Sequence, residues 1–227
     1  MPTGAIINAI AILVGGAIGL LLKNRVSEKS SAGVMRALGL CICVIGIHGG
    51  LDGDFMLMAI SLALGSLTGE FLHIDARLNK FGLFLQRKLS KDTENSTFAQ
   101  GFVTSSLLFC VGAMAIVGSI ESGLRDDQSV VITKSILDAF ASVVLASTLG
   151  VGVLFSAMAV LLYQGSIEFF AAYFQDAISP ELITHISAVG GIMILGIGIN
   201  MVFGEKIKVA NLLPGFIFAI AYYIVFH

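Results

Sequence analysis

The sequence predicts an all-α integral membrane protein of about eight transmembrane helices, with residues 1–227 forming a single polytopic membrane domain. Three observations predict it. Hydrophobic residues make up 56% of the chain and charged residues only 12%, against about a quarter charged in an average soluble domain. Apolar stretches recur along the whole length, several near the roughly 20 residues that cross a hydrocarbon core. Finally, Lys and Arg concentrate in alternate loops, the asymmetry by which membrane proteins set their orientation.

The expected spans are 3–22, 37–51, 55–72, 98–120, 131–149, 152–172, 182–203 and 209–226. The first has no positive n-region in MPTGAIINAI and no small-residue cleavage site after it, so it reads as a span and not a signal peptide. Between the third and fourth, HIDARLNKFGLFLQRKL repeats Ile74, Leu78, Phe81 and Leu85 at helical spacing, with Arg77, Lys80, Arg87 and Lys88 between them. Residues 73–91 are therefore expected to form an amphipathic helix lying on the cytoplasmic leaflet, held by apolar burial and anionic headgroups. A solvated connector is the alternative. Only Gly150-Val151-Gly152 separates the fifth span from the sixth, so 131–172 could also be one long tilted helix. Ser179-Pro180-Glu181 starts the seventh, with Ser as N-cap and Pro at the first helical position.

Charge decides the count. Lys23, Arg25, Lys29, Arg36, Arg77, Lys80, Arg87, Lys88, Lys91, Lys206 and Lys208 are all of the thirteen basic residues except Arg125 and Lys134. Eight spans with both termini periplasmic put those eleven on the cytoplasmic side, whereas seven misplace a loop. An internal repeat is also visible. INAIAIL at 7–13 resembles FSAMAVL at 155–161, ALGLCIC at 37–43 lies on AVGGIMI at 188–194, and LALG at 62–65 on LLPG at 212–215. The near-constant offset would make spans 1–3 and 6–8 an inverted repeat, a transporter architecture. The matches rest on Ala, Gly, Ile and Leu, and chance similarity is the rival reading.

Gly15/Gly19, Gly46/Gly50, Gly65/Gly69 and Ala146/Gly150 are small-xxx-small pairs. Lipid tails give no hydrophobic drive between helices, so such faces supply close packing, within the chain or between copies. A homo-oligomer through them is expected. A net charge of −2 is too weak for a nucleic-acid partner. Cys41, Cys43 and Cys110 all fall in apolar segments and read as buried packing thiols, and neither metal nor cofactor is expected.

The polar residues inside the spans carry the functional question. A carboxylate at a helix centre costs about 2.5–3.5 kcal/mol on insertion scales and usually faces a cavity or a partner. Lys134 and Asp138 are i, i+4 neighbours; a direct pair or a snorkelling Lys134 is the bland reading. Asn8, Lys134, Asp138 and Gln164 share one depth, and Glu70, Asn200 and Asn211 share another nearer the cytoplasm. Two polar layers suit an ion or solute path, with oxygens replacing a hydration shell. Interhelical hydrogen bonds of about 0.6 kcal/mol each are the alternative. Glu121 and Glu168 are expected at headgroup level, with His48 and His185 at outer ends. Phe169, Phe170, Tyr173 and Phe174 suggest an aromatic belt, and Pro214 is expected to break the last span near Glu70.

HExxH, GxSxG and phosphate-binding glycine loops are missing, which argues against an enzyme. A channel or secondary transporter for an ion or small solute is the leading expectation, and a non-transporting scaffold or assembly protein the alternative. SLLFCVGAMAIVGSIESGL (106–124), TKSILDAFASVVLASTLGVGVLFSA (133–157), YQGSI (163–167), VGGIMILGIGIN (189–200) and KVANLLPG (208–215) resemble hallmark segments of the YqgA/YdfK-like family, domain of unknown function 554. GAIINAIAILVGGAIGLLLK and LGSLTGEFLHID resemble its N-terminal part, so the likeness covers essentially the whole chain. It implies a multi-pass bacterial inner-membrane protein with no established activity, and supplies no site residues.

Overall fold

A computed structural model describes residues 2–23, 28–89, 97–110, 113–171, 179–204 and 206–226. Arg25, Lys91, Tyr173, Phe174 and Asp176 lie outside them. Among the described residues the structure is helical, without strands. In chain order the helices are α1 (Thr3–Lys23), α2 (Glu28–Leu51), α3 (Phe55–Phe71), α4 (Ile74–Leu89), α5 (Phe98–Cys110), α6 (Ala113–Arg125), α7 (Ser129–Leu149), α8 (Gly152–Phe169), α9 (Pro180–Phe203) and α10 (Gly215–Phe226). A 3-10 turn at Val209–Leu212 precedes α10.

Among the described residues, five segments are long and apolar enough to cross a bilayer alone: α1, α7, α8, α9 and Val209–Phe226. Two bent pairs raise the number to seven if each is one span. In the first, α2 and α3 turn through 119°. The second corrects the expected continuous span 98–120, which is two helices, α5 and α6, inclined at 78°. The segment 131–172, in contrast, is two helices. Gly150 ends α7 with φ 82° and ψ −155°, a region essentially reserved for glycine, and Thr97 Oγ1 donates to the Leu149 carbonyl at 2.5 Å.

The chain divides into two compact units. The first contains α1, the later part of α4, and α5 to α8. Here α1 packs parallel to α7, with Gly15 against the Ala139 carbonyl and Gly19 against that of Val143. It packs antiparallel to α8, with Gly4 at Glu168 and Gly16 at Leu154. A Cβ at Gly15 or Gly19 would overlap those carbonyls, so the small face lets the backbones meet. Gly152 in turn faces the Phe98 carbonyl, joining α5 to α8. The amphipathic α4 joins α5 through Gly82 against Ala99 and through Phe81 and Phe102, whose rings are 6.1 Å apart. Its Arg77, Lys80, Leu83 and Phe84 are exposed.

The second unit contains most of α2, α3, the start of α4, α9, the 3-10 turn and α10. Asp54 caps α3, accepting from Leu57 N–H at 2.7 Å, and Ser179 caps α9, accepting from Leu182 N–H at 3.1 Å. Asp54 N–H donates to His185 Nδ1 at 3.3 Å, which gives that histidine a local structural partner. Gly46 packs on Gly191 and Gly39 on Gly198, an antiparallel α2–α9 contact. Gly65 packs on Gly215 and Gly69 on the Asn211 carbonyl, an antiparallel contact of α3 with the 3-10 turn and α10.

The Gly15/Gly19 and Gly65/Gly69 faces, expected to serve either intramolecular or intermolecular packing, are thus used within the chain. The cysteines, expected to be buried, are not fully so: Cys41 is exposed on α2, and Cys43 and Cys110 are partly buried.

Candidate functional site

Two polar clusters carry the sequence-predicted residues, one in each unit. The first is built on α7, where one helical turn brings Lys134 Nζ onto Asp138 Oδ2 as an ion pair. The parallel α1–α7 packing sets Asn8 opposite Asp138, and the antiparallel α8 brings Gln164 to Asn8. Asn8 Nδ2 donates to Asp138 Oδ2 at 2.9 Å and to Gln164 Oε1 at 3.0 Å. Ser142 Oγ, one turn beyond Asp138, donates to the Ile12 carbonyl at 3.1 Å and fastens α7 to α1.

All four side chains are sequestered: Asn8 and Gln164 are 0% exposed, Lys134 6% and Asp138 8%. Lys134 therefore does not snorkel. Asp138 falls at the midpoint of α7, the depth at which an ionised group is most expensive to keep. Two buried atoms of the cluster, Asn8 Oδ1 and Gln164 Nε2, have no hydrogen-bond partner among the described residues. Buried polar groups are paired in the great majority of cases, and a buried water or a bound solute would satisfy this acceptor and this donor.

The second cluster joins α3, the 3-10 turn and α4. Glu70 accepts from Lys208 Nζ at 2.7 Å and from Asn211 Nδ2 at 2.5 Å. Asn211 Oδ1 accepts from Asp75 N–H at 2.8 Å, which ties the start of α4 to the turn. Glu70 and Lys208 are both more than half exposed, and only Asn211 is buried. The hydrogen bond to Glu70 raises the Lys208 pKa above its ordinary value. Pro214 breaks the last span as expected, with the Asn211 carbonyl over Gly69. Asn200 stands apart: its Oδ1 accepts from the Lys206 and Ile207 N–H groups at 2.9 Å each, and its Nδ2 donates to the Ile207 carbonyl at 2.7 Å. That is the wiring of a turn.

Sequence reasoning missed Glu168. It lies at the end of α8, is 5% exposed and caps α1, its Oε1 accepting from Ala5 N–H at 2.6 Å. A carboxylate at a helix N-terminus satisfies orphan N–H groups and complements the helix dipole. Ser122 Oγ donates to Gln128 Oε1 at 3.0 Å, and Gln128 Nε2 donates to Thr3 Oγ1 at 3.0 Å, closing a polar collar around the start of α1. The one signal in the sequence is Gly4, whose missing Cβ admits the carboxylate. Phe169 and Phe170 are exposed beside it, with ring centroids 5.0 Å apart.

Comparison with known proteins adds the wider context. A family model described as "Protein of unknown function (DUF554)" matches residues 3–224. The chain is 36% identical to the uncharacterized membrane protein YdfK of Bacillus subtilis, over 93% of this chain and 91% of that protein. It is 30% identical to the uncharacterized protein YqgA of Escherichia coli, over 96% of this chain and 95% of that protein. No solved structure matches.

Proposed function

Because the chain belongs to the DUF554 family of membrane proteins of unknown function, we propose a role from its own buried chemistry: it moves an ion or small solute across the membrane, and catalyses no reaction. The observation that carries the proposal is the Asn8–Lys134–Asp138–Gln164 cluster, an ion pair at mid-helix flanked by two amides, each with an unpartnered atom. Intramembrane ionisable residues mark solute and ion pathways more often than packing. Asp138 and Lys134 supply charge, and Asn8 and Gln164 supply neutral ligands. Glu70, Asn200 and Asn211, expected in a second polar layer, serve the rim: they fasten the α3–α4 turn and the segment after α9.

Helix directions support a crossing count of eight, with both termini on the periplasmic face of a bacterial inner membrane and α4 on the cytoplasmic leaflet. Parallel packing of α1 and α7 requires an odd number of crossings between them. Separate crossings by α2 and α3 with one by α5–α6 meet that requirement, whereas counting each bent pair as one span does not. Three antiparallel pairs, α1 with α8, α2 with α9 and α3 with α10, are the pairings an inverted repeat of spans 1–3 and 6–8 would make. Gly65 and Gly215, matched in the repeat at an offset of 150, touch each other.

A scaffold reading has one observation in its favour: Asn8 bridges α1, α7 and α8 with both of its N–H groups, which is what a purely structural clasp would do. Flux separates the two. Purified chain in liposomes, assayed with Na⁺, K⁺, H⁺, common anions and small polar solutes, should transport at least one of them. Asp138→Asn should abolish that flux while leaving the protein monodisperse. Absence of flux for every solute, with Asp138→Asn lowering only stability, would decide for the scaffold.

A further inference from the structure

We infer that the solute taken by this site is net-neutral and carries both an ammonium and a carboxylate, the chemistry of a small α-amino-acid zwitterion. The inference rests on the transport reading above and narrows it. Hydrogen-bond direction is the starting point. An ionised carboxylate only accepts, so Asp138 turns the Asn8 NH₂ group toward itself, and the second N–H of that group goes to Gln164 Oε1. Flipping the Asn8 amide would set its oxygen against Asp138; flipping Gln164 would set two NH₂ groups face to face. The orientation is thus imposed, and it leaves Asn8 Oδ1 as an acceptor without a donor and Gln164 Nε2 as a donor without an acceptor. Both belong to side chains with no exposed surface. A small polar molecule that donates to the first and accepts from the second would satisfy both.

Charge narrows the class further. Lys134 and Asp138 cancel one another inside the bundle. A lone cation on Asp138 would displace Lys134 and leave a buried ammonium uncompensated; a lone anion on Lys134 would orphan Asp138 in the same way. A zwitterion splits the pair and leaves neither charge alone. Its carboxylate meets Lys134 and Gln164 Nε2, and its ammonium meets Asp138 and Asn8 Oδ1. The internal ion pair then acts as a stand-in that closes the site between cargoes.

The test uses the full chain in liposomes with radiolabelled glycine, alanine, serine and proline as zwitterions. Glycinamide serves as the matched cation, glycolate as an anion, and Na⁺, K⁺ and Cl⁻ as lone ions. Saturable uptake of at least one zwitterion is expected, with glycinamide and glycolate failing to compete at a hundredfold excess. Gln164→Leu should raise the half-saturation concentration at least tenfold. Lys134→Gln, which leaves the site negative, should make glycinamide an effective competitor. The double variant Lys134→Gln with Asp138→Asn removes both charges together and guards against misfolding of the single one; it should lose zwitterion uptake while remaining monodisperse. Flux of a lone inorganic ion without zwitterion uptake would overturn this inference and leave the transport reading standing. Absence of flux for every probe would remove the transport reading and this inference with it.

Discussion

Removing one member of the Lys134–Asp138 pair should be far more damaging than removing both. The pair is at mid-helix, with side chains 7% and 12% exposed, so neither charge can turn to water when its partner is lost. Breaking a buried pair from one side costs about 3–5 kcal/mol, while replacing both partners by apolar groups of similar volume is often neutral or stabilising. Proton exchange can neutralise the orphaned group, which places Lys134→Met and Asp138→Leu toward the lower end, at about 3 kcal/mol each. The double variant keeps the Asn8–Gln164 hydrogen bond at 3.0 Å and loses only the Asn8–Asp138 bond. Its expected loss is therefore one hydrogen bond, about 0.5–1.5 kcal/mol. Reversible unfolding in mixed micelles, followed by helicity, yields the four free energies of a double-mutant cycle. The expected coupling is several kcal/mol. Single substitutions costing under about 1 kcal/mol, with a coupling near zero, would refute the reasoning that the pair is shielded from water in the closed state.

Three further outcomes follow from the packing. Gly15→Val and Gly19→Val push a Cβ into the Ala139 and Val143 carbonyls and should destabilise by about 1–3 kcal/mol or more, whereas Gly33→Ala meets open space and should be silent in the same thermal melts. Gly150→Ala forces an L side chain into the backbone conformation that ends α7, an expected loss of about 1–3 kcal/mol. Glu168→Leu strips the acceptor from Ala5 N–H, an expected loss of about 1.5–3 kcal/mol. Faster hydrogen exchange at residues 4–6 should accompany that loss, with partial recovery in Glu168→Gln; unchanged exchange would show that the cap does not hold α1.

Hydropathy is a local signal, and it made the membrane class, the ends of α1 and α3 and the Ser179-Pro180 start of α9 legible. The Lys134–Asp138 pair was legible because a helix fixes i, i+4 neighbours. Shared depth was enough to put Asn8 and Gln164 with them, since antiparallel and parallel spans meet neighbours at like depth. The bend between α5 and α6 was not legible: Val111-Gly112-Ala113 carries neither proline nor charge, and a change of axis leaves hydropathy untouched. The partner of Glu70 was not legible, because Lys208 is 138 positions away in the chain. The capping role of Glu168 was hidden for the same reason, its partner being the start of α1. Which glycine faces meet within the chain is likewise set by tertiary packing, so the pairs Gly15/Gly19 and Gly65/Gly69 could not choose between chain-internal and intermolecular contact.

Cysteine accessibility at the cluster tests the central claim most directly. In a background with Cys41, Cys43 and Cys110 replaced, Asn8→Cys and Gln164→Cys would be exposed in proteoliposomes to a membrane-impermeant thiol reagent from each side. A solute path predicts labelling of these buried positions from at least one side, slowed by the transported solute. Labelling of neither position from either side, in protein that remains folded, would leave a sealed polar clasp and contradict the account.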